Sequence, residues 1–404
     1  MNLSPYGESQ LAEAEEAFAL KQGYPLGHLT NLWNIRRRMD VSDLPDSCKL
    51  AVWVVAPVLA GFVSWLAAEI KESCMLPLGV MREGRYLLRL LSCLHGVQGR
   101  EIAVNRNLSL LAAYAADDDE ALVNWLVRTR IKPLTGGDLA KFSLSTKGDV
   151  PVDGIIDLDL ARTLVAKWGR QGEESPLWYA AKTARDGLTL HWKRTTEDAP
   201  NKGFVMLDFA SAGNIQRSLQ TVLEGENYPP VLRGLNFATT QGVIWAQQKG
   251  CEIRGFLSDA GQPSWIGDAY RRTPELIEIF AGCDLGPLQS YGSDGQPQWS
   301  DSPLDKNRQR TLSDWQEHIL AAARIYHDAM SSALTADLCR CLWGRLLLQP
   351  LANEVLALCD WPLDFGVDGE TPRLLAPSLA GLPQAWSKIQ TAWPAASLLR
   401  QNIS

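Results

Sequence analysis

The sequence predicts an α/β protein: a Rossmann-like, mostly parallel sheet flanked by helices, with a helical insertion and a helical C-terminal region. Four apolar residues, 204–207, lead to Asp208, a loop of small residues and a run with helical spacing. A similar strand–loop–helix pattern begins at Leu76. Strands that alternate with helices are typical of parallel sheets, because parallel strands need long crossover connections.

The first half of the chain shows clear periodic patterns. Apolar residues at helical spacing predict helices, and short apolar runs between turn residues predict strands. The second helix ends in three arginines, which the negative carboxyl end of a helix favours. The predicted helices are 8–21, 28–39, 58–70, 85–94, 118–128, 157–168 and 174–186, and the predicted strands are 76–80 and 102–104.

The second half of the chain alternates in the same way before it becomes helical. Pro274 suits the first turn of a helix. Residues 284–312, rich in Gly, Pro, Ser and Asp, are expected to form a long irregular loop, with Ser313 capping the next helix. The predicted strands are 204–207, 231–240 and 253–257, and the predicted helices are 215–223, 274–280, 311–330, 334–348 and 353–358.

These elements group into five predicted regions. They are an N-terminal helical extension (1–45), the first part of the α/β domain (46–116), a helical insertion or cap (117–200), the second part of the α/β domain (201–285), and a long loop with a helical C-terminal region (286–404).

The composition is that of a globular protein with a sizeable core. The chain has 404 residues, 46% of them hydrophobic, with a formal net charge of −7 and a pI near 5.4. No nucleic-acid partner is expected, because such binding needs many cations to neutralise phosphates. The scattered eight cysteines, and a start without secretory features, predict a cytoplasmic protein with free thiols.

Residues 51–68 are an unbroken apolar or small run, about as long as a bilayer-spanning helix. Pro57 and Gly61 interrupt the run, and Lys49 and Glu69 lie close to its ends. These features favour a helix buried in the core, which gives the same pattern. A membrane-anchored protein is the alternative.

Polar residues follow three predicted strands and are expected to meet at one edge of the sheet. Open α/β sheets bind ligands outside the carboxyl ends of their strands. Arginines opposite a helix N-terminus bind a phosphate or carboxylate. The candidate substrate-binding residues are Arg82, Arg85, Arg106, Asn107, Ser211, Gly213, Asn214 and Gln216, and the candidate catalytic residues are Asp208 and Glu83.

The two carboxylates give this predicted site its chemistry. Asp208 or Glu83 can act as a base or hold a metal, so a divalent cation such as Mg²⁺ is compatible with the site, although the sequence predicts no dedicated metal ligands and leaves the cofactor unknown. The structural alternatives stay open. Asp208 can simply cap its turn, and Arg82 and Glu83 can pair with each other or with Asp208 in a buried network.

Four segments, taken in order, carry a resemblance to a bacterial group. Together they resemble the region that follows the haloacid-dehalogenase-like domain in large bacterial proteins linked to surface-polysaccharide or glycosyltransferase genes. In that group they read approximately as an apolar helix, F-L-x-R-D-G, S-R-R and V-D-I-G-W-x-G-x-I-Q. The resemblance implies an α/β domain with an anion or sugar-phosphate pocket. The four segments are 56–66, 78–88, 105–108 and 207–216.

The chain departs from that group at informative positions. Glu83 stands where the group has aspartate, Asn107 replaces an arginine, and Ala210-Ser211 replaces Gly-Trp. Residues 1–45 are too few for the phosphatase domain that normally precedes the region, so phosphatase activity is not expected.

Two functions follow as hypotheses. One is an enzyme, or an enzyme-derived protein, that binds a phosphorylated or nucleotide-linked sugar, with glycosyl or phosphoryl transfer or hydrolysis in glycan biosynthesis. The alternative is a catalytically inactive scaffold or partner-binding protein, because the altered motif positions are those of a copy that lost chemistry. Its partner would be another protein or a second copy of the chain.

Overall fold

Within the described residues, five parallel strands form the central sheet, in the spatial order Arg100–Ile102, Leu76–Val80, Phe204–Asp208, Leu232–Asn236 and Glu252–Gly255. The computed structural model describes residues 6–127, 135–141, 150–171, 175–199, 203–209, 212–225, 232–259, 264–363, 373–378 and 391–403. The predicted α/β class and parallel sheet are therefore confirmed. The sheet strands are β1 Leu76–Val80, β2 Arg100–Ile102, β3 Phe204–Asp208, β4 Leu232–Asn236 and β5 Glu252–Gly255.

Helices surround this sheet and form the N- and C-terminal regions. In the described residues, the helices of the first half are α1 Glu8–Gln22, α2 Gly27–Arg36, α3 Asp46–Leu50, α4 Ala56–Ser73, α5 Gly84–His95, α6 Arg106–Tyr114, α7 Asp119–Val127, α8 Gly136–Lys141 and α9 Leu158–Gln171. They are followed by α10 Pro176–Thr196, α11 Asn214–Gly225, α12 Val243–Gln247, α13 Trp265–Arg272, α14 Glu275–Ala281, α15 Lys306–Met330, α16 Ala336–Leu348, α17 Ala352–Leu358 and α18 Pro394–Ile403.

Both faces of the sheet are buried, and β3 shows how its residues divide between them. Val205 and Leu207 belong to the main core, which contains residues of α4, α5, α15 and α16. Phe204 and Met206 pack on the other face with residues of α10 and α11. Successive side chains of a strand point to opposite faces, so a strand buried on both sides is a continuous apolar run.

The apolar run at 51–68 lies in a long core helix. The helix spans Asp46–Ser73, with a π-helical segment at Ala51–Val55 between α3 and α4. It is long and apolar enough to cross a membrane, but 83% of its most apolar stretch is buried inside the protein. Phe62 packs against the rings of Phe209, Phe237 and Phe256. This burial supports the core interpretation rather than a membrane anchor.

A helical insertion separates β2 from β3. It contains α6 to α10, and α7 and α9 share a small hydrophobic core that includes Leu126, Leu164 and Trp168. The helical C-terminal region begins with α15. The expected helical insertion and helical C-terminal region are thus present, whereas the boundaries of the five regions stay predictions.

The prediction of one irregular loop over 284–312 is wrong. Strands β6 Leu288–Tyr291 and β7 Pro297–Trp299 pair there as an antiparallel hairpin. The next helix already begins at Lys306, because the Asp305 carboxylate accepts hydrogen bonds from the amides of Asn307 and Arg308, at 3.0 and 2.9 Å. Asp305, rather than Ser313, is the cap of that helix. Short strands among turn residues leave little periodicity for a sequence pattern to detect.

A last pair of short strands lies near the C-terminus: β8 Pro362–Leu363 and β9 Arg373–Leu374 are antiparallel. All eight cysteines fall within the described residues, and all are free thiols. The sequence-based expectation of free thiols agrees with this.

Candidate functional site

The carboxyl ends of β1 and β3 lie next to each other at the middle of the sheet. Gly79 of β1 pairs with Leu207 of β3, so the two strands end at the same level. The helix after β1, α5, packs in the main core, whereas the helix after β3, α11, packs on the opposite face. Loops that leave neighbouring strands toward opposite faces open a crevice at the switch point, where doubly wound sheets bind ligands.

Two glycines make the β1 loop tight. A Cβ atom on Gly79 would lie 2.6 Å from the carbonyl oxygen of Gly84, and one on Gly84 would collide with the backbone of Gly79. No side chain fits between the strand and the first turn of α5. The Gly79–Gly84 approach therefore fixes where the polar residues between them can lie.

Arg82 and Glu83 occupy this loop and are both half-buried. The Glu83 carboxylate accepts a hydrogen bond from the backbone amide of Arg82 at 3.1 Å. Nη1 of Arg82 donates to the carbonyl of Leu285 at 3.4 Å. The Glu83 carboxylate therefore stabilises the loop, and the Arg82 side chain links the loop to the backbone of Leu285.

Arg85, in the first turn of α5, lies at the surface. Its guanidinium group donates two 2.9 Å hydrogen bonds to the carboxylate of Glu101, with both side chains 43% exposed. These bonds raise the pKa of Arg85. The carboxylate of Glu101, in β2, therefore balances the charge of Arg85.

Asp208 is the last residue of β3, and it is half-buried beside the crevice. It pairs in register with Asn236, the last residue of β4, which is buried. The polar residues at this edge of the sheet therefore continue onto β4, which the predicted site did not include. The sequence signal for Asn236 was a polar residue that ends an apolar run.

Gly213 turns the chain from the β3 loop into α11. Its φ of +70° lies in the left-handed region, and a Cβ atom there would lie 2.5 Å from Cδ1 of Ile253 and 2.9 Å from Cβ of Ala246. Both the backbone conformation and the close packing require glycine. The predicted Ser211 lies outside the described residues.

Asn214 begins α11 and is only 7% exposed. Its Oδ1 atom is buried and has no hydrogen-bond partner among the residues that the structure describes. A buried acceptor left without a donor costs about 1–3 kcal/mol. Asn214 can thus accept a hydrogen bond from a group that the described residues do not supply.

Gln216, one turn into α11, stabilises the sheet. Its Nε2 donates to the carbonyls of Leu232 and Glu252, at 2.9 and 3.1 Å, and so joins the starts of β4 and β5. Gly234 leaves the space for it, because a Cβ atom there would collide with Oε1 of Gln216. The structure places this side chain over the sheet, with both amide hydrogens on backbone carbonyls.

The β2 loop leads into α6. Asn105 caps that helix: its Oδ1 accepts from the amide of Leu108, and its Nδ2 donates to the carbonyl of Leu288, both at 2.8 Å. Arg106 is exposed and Asn107 half-buried in the first turn. Asn105 is not among the candidate site residues, but its side chain holds this loop against the β6–β7 hairpin.

Two aromatic side chains cover the end of β2. The amide of Ala103 donates to Nε2 of His191 at 2.9 Å, and the hydroxyl of Tyr291 donates to the carbonyl of Ala103 at 2.8 Å. Nδ1 of His191 lies 3.1 Å from the carbonyl of Gly295, so the neutral tautomer with its proton on Nδ1 satisfies both contacts. Burial lowers the pKa of His191. The backbone amide and carbonyl of Ala103 are thus both hydrogen-bonded to protein side chains.

Cys283 lies near the β1 loop and was not expected there. Burial raises the pKa of its thiol; the charge of Glu83 raises it further, while Arg85 and Arg82 act in the opposite direction. A raised pKa keeps the group a thiol at neutral pH rather than a nucleophilic thiolate.

A metal at this site would need ligands beyond the protein. Within the described parts of the chain, no group of three or more His, Cys, Asp or Glu side chains is arranged to hold a metal ion. A Mg²⁺ ion at Asp208 would take its other ligands from substrate oxygens and water, as Mg²⁺ commonly does.

The strand order, the helices on both faces and the polar residues at the switch point define a doubly wound α/β protein with a candidate ligand site between β1 and β3. A scan against models of known protein families gives no match. A search of curated protein sequences also finds none.

Proposed function

We propose that this protein binds a small phosphorylated or nucleotide-linked sugar in the crevice between the β1 and β3 loops. The observation that carries the proposal is the buried Oδ1 of Asn214, which has no hydrogen-bond partner among the described residues. This atom lies at the start of α11, next to the loop that follows Asp208. A ligand group that donates a hydrogen bond would satisfy that atom. Sugar hydroxyls are donors of this kind.

The phosphate of such a ligand would bind at the other wall of the crevice. Arg82 supplies a half-buried guanidinium group on the β1 loop, and guanidinium groups bind phosphate through paired hydrogen bonds. The first turn of α11 contributes backbone amides and the positive end of the helix dipole. Arg106, exposed at the neighbouring loop, would bind a second phosphate of a nucleotide diphosphate sugar.

Asp208 would be the residue that acts on the sugar. A half-buried carboxylate at a strand end can orient a hydroxyl, accept its proton or hold Mg²⁺. Glu83 is the weaker candidate, because its carboxylate already accepts from the amide of Arg82. An acidic residue among arginines suits glycosyl or phosphoryl transfer, or hydrolysis. The resemblance of the four sequence segments favours bacterial glycan biosynthesis, in the cytoplasm, as the setting of that reaction.

A second candidate function is a catalytically inactive binding or scaffold protein. It is favoured by two residues of the predicted site whose polar groups the protein itself uses: Arg85 pairs with Glu101, and Gln216 binds two strand carbonyls. Such a protein would keep the ligand site without turnover, and would act through a protein partner or a second copy of the chain.

Thermal unfolding with a ligand panel tests the proposal. The panel contains hexose phosphates and nucleotide diphosphate sugars, each with and without Mg²⁺, on the wild type, on Asp208→Asn, and on Asp186→Asn as an exposed control with the same charge change. A ligand that binds only the folded state raises the melting temperature. We expect stabilisation of the wild type and of the control, and its loss in Asp208→Asn.

The same panel separates the two candidate functions. Binding followed by product formation supports the enzyme, and binding without turnover supports the inactive protein. If no phosphorylated or nucleotide-linked sugar stabilises the wild type, or if Asp208→Asn responds as the control does, the ligand proposal is wrong.

A further inference from the structure

Buried polar atoms without partners continue along α11 beyond Asn214. Arg217 is the main case: its side chain has no exposed surface, yet its Nε and Nη1 atoms have no hydrogen-bond partner among the described residues. The hydroxyl of the fully buried Ser218 is in the same situation. Native proteins rarely leave such groups unsatisfied, so their concentration on one helix indicates a bound polar group.

Arg217 forms part of the wall of a small cavity on the side of α11. The cavity has a volume of about 170 Å³, and its walls come from α11, the segment after α6 and the segment before β5. The polar residues that matter are Asp117, Asp118, Arg217, Gln220, Glu224 and Lys249. This cavity is separate from the crevice, since none of the residues proposed for phosphate or sugar binding lines it.

The guanidinium group of Arg217 is held rigidly in this wall. Its Nη2 forms an ion pair with the carboxylate of Asp118 at 2.7 Å, and its Cζ lies 3.4 Å from the centre of the Trp245 ring. A cation stacked on an aromatic ring and fixed by one carboxylate keeps its remaining donors in set directions. Those donors are suited to an acceptor such as a carboxylate.

The charges around the cavity limit what that acceptor can belong to. Arg217 and Lys249 are positive, whereas Asp117, Asp118 and Glu224 are negative, so these lining residues carry one net negative charge. A phosphate dianion would increase the repulsion, and a simple cation would leave the donors of Arg217 unused. A ligand with one carboxylate and one ammonium group adds no net charge and matches both kinds of residue.

We propose that this cavity is a second binding site and that it takes a free α-amino acid. The carboxylate would accept hydrogen bonds from Arg217 and Lys249, and the ammonium group would bind between Asp117 and Glu224. Gln220 and Thr221 also line the cavity. Gln220 already donates to Glu224 and accepts from Cys251, whereas the Thr221 hydroxyl, which donates to the carbonyl of Arg217, can still accept a hydrogen bond from the ammonium group. The cavity volume admits a small amino acid rather than a nucleotide sugar, and binding here is independent of the proposed sugar site.

Calorimetric titration of the full chain tests this site. The probes are the twenty common amino acids, together with propionate and ethylamine, which each present one charged end of alanine, and inorganic phosphate. We expect saturable binding of at least one amino acid, and at least about tenfold weaker binding of both one-ended probes and of phosphate, since each charged hydrogen bond contributes about tenfold or more.

Two exposed aspartates give a matched pair of variants. Asp117 lines the cavity, whereas Asp119 is not among its lining residues. Asp117→Asn is expected to weaken amino-acid binding about tenfold, and Asp119→Asn to change it less than about twofold. Because both side chains are exposed, neither change should prevent folding. Lys249→Ala, also exposed, should weaken binding of the amino acid through its carboxylate end.

These measurements test the amino-acid site independently of the proposed sugar site. Asp208→Asn should bind the amino acid as the wild type does, even if the sugar proposal fails. The amino-acid site is ruled out if none of the twenty binds at about 10 mM, a concentration at which even millimolar affinity saturates a site. The site is also ruled out if ethylamine, propionate or phosphate binds as tightly as the amino acid does. Equal effects of Asp117→Asn and Asp119→Asn on amino-acid binding would rule it out too.

Discussion

Asp208 and Asn236 are paired at the last positions of β3 and β4, so a carboxylate and an amide lie side by side at the carboxyl edge of the sheet, on the strand that borders the switch point and on the next strand. One more polar side chain, Asn214, follows at the start of α11, and its buried oxygen has no hydrogen-bond partner in the part of the chain that the structure describes. These groups lie beyond the apolar interior of the sheet, and they are the basis of the proposed ligand site.

Replacement of Asn214 is expected to weaken ligand binding with little effect on the stability of the ligand-free protein. Asn214→Ala removes a buried acceptor that no described protein group satisfies, so we expect the free energy of unfolding of the ligand-free protein to change by less than about 1 kcal/mol. Ligand binding should weaken by about tenfold or more. Chemical denaturation and ligand titration of the same variant measure both. A loss of stability well above this limit would mean that Asn214 is a structural residue.

Replacement of Gln216, in contrast, is expected to lower the stability of the protein. Gln216→Ala removes two hydrogen bonds to the carbonyls of Leu232 and Glu252 and leaves a hole over the sheet. We expect a loss of about 2–4 kcal/mol, which combines unpaired buried carbonyls with a cavity. Urea denaturation measures it. Gln220→Ala on the same helix is the control, because that side chain bonds to the carboxylate of Glu224 and to the thiol of Cys251 rather than to the backbone of the sheet, and should cost less.

Gly213 and Gly96 allow backbone strain to be separated from collision. Both have positive φ, +70° and +67°, but a Cβ atom on Gly96 would meet nothing within 4 Å, whereas one on Gly213 would press on Ile253. Gly96→Ala should cost about 1 kcal/mol through backbone strain alone. Gly213→Ala should cost at least about 1 kcal/mol more, because overpacking adds to the strain. Equal losses in thermal or urea unfolding would contradict the packing at Gly213.

His191 predicts a stability that depends on pH. Burial lowers its pKa in the folded protein, so the unfolded chain binds the proton more readily. Its contribution to stability is therefore complete above the unfolded value of about 6.5 and decreases as the pH falls from there toward the folded pKa. Burial and the nearby His327 also lower the pKa of His95, which adds to the same slope.

Urea denaturation between pH 7.5 and 5, compared with His191→Gln, isolates the part due to His191. One proton taken up on unfolding changes the free energy of unfolding by at most about 1.4 kcal/mol per pH unit. The variant should be less stable at pH 7.5, because the contacts with Ala103 and Gly295 are altered, but should lose less stability on acidification. An unchanged slope would show that His191 does not titrate in this range.

The sheet could be predicted from sequence because its strands are continuous apolar runs between turns. Leu76–Val80 and Phe204–Asp208 are examples, and the residues after them were placed correctly at the strand ends. Burial of a strand on both faces leaves a strong and local signal. The order of the strands, in contrast, depends on the long crossover from Ile102 to Phe204, which local patterns do not encode.

The partners of individual side chains could not be predicted. Gln216 was expected to bind a ligand but holds two strand carbonyls, and Arg217, its neighbour, was overlooked although it forms an ion pair with Asp118. Asp118 and Arg217 are 99 positions apart in sequence. Contacts of this kind are set by how helices pack around the sheet, and nothing in the spacing of either residue indicates them.

A structure of the protein with a bound phosphorylated or nucleotide-linked sugar tests the central claim most directly. We predict phosphate oxygens within about 2.7–3.2 Å of Arg82 and of the first amides of α11, with a sugar hydroxyl at the same distance from Asp208 and from Oδ1 of Asn214. A ligand bound elsewhere on the molecule, or an empty crevice at saturating ligand, would contradict this placement.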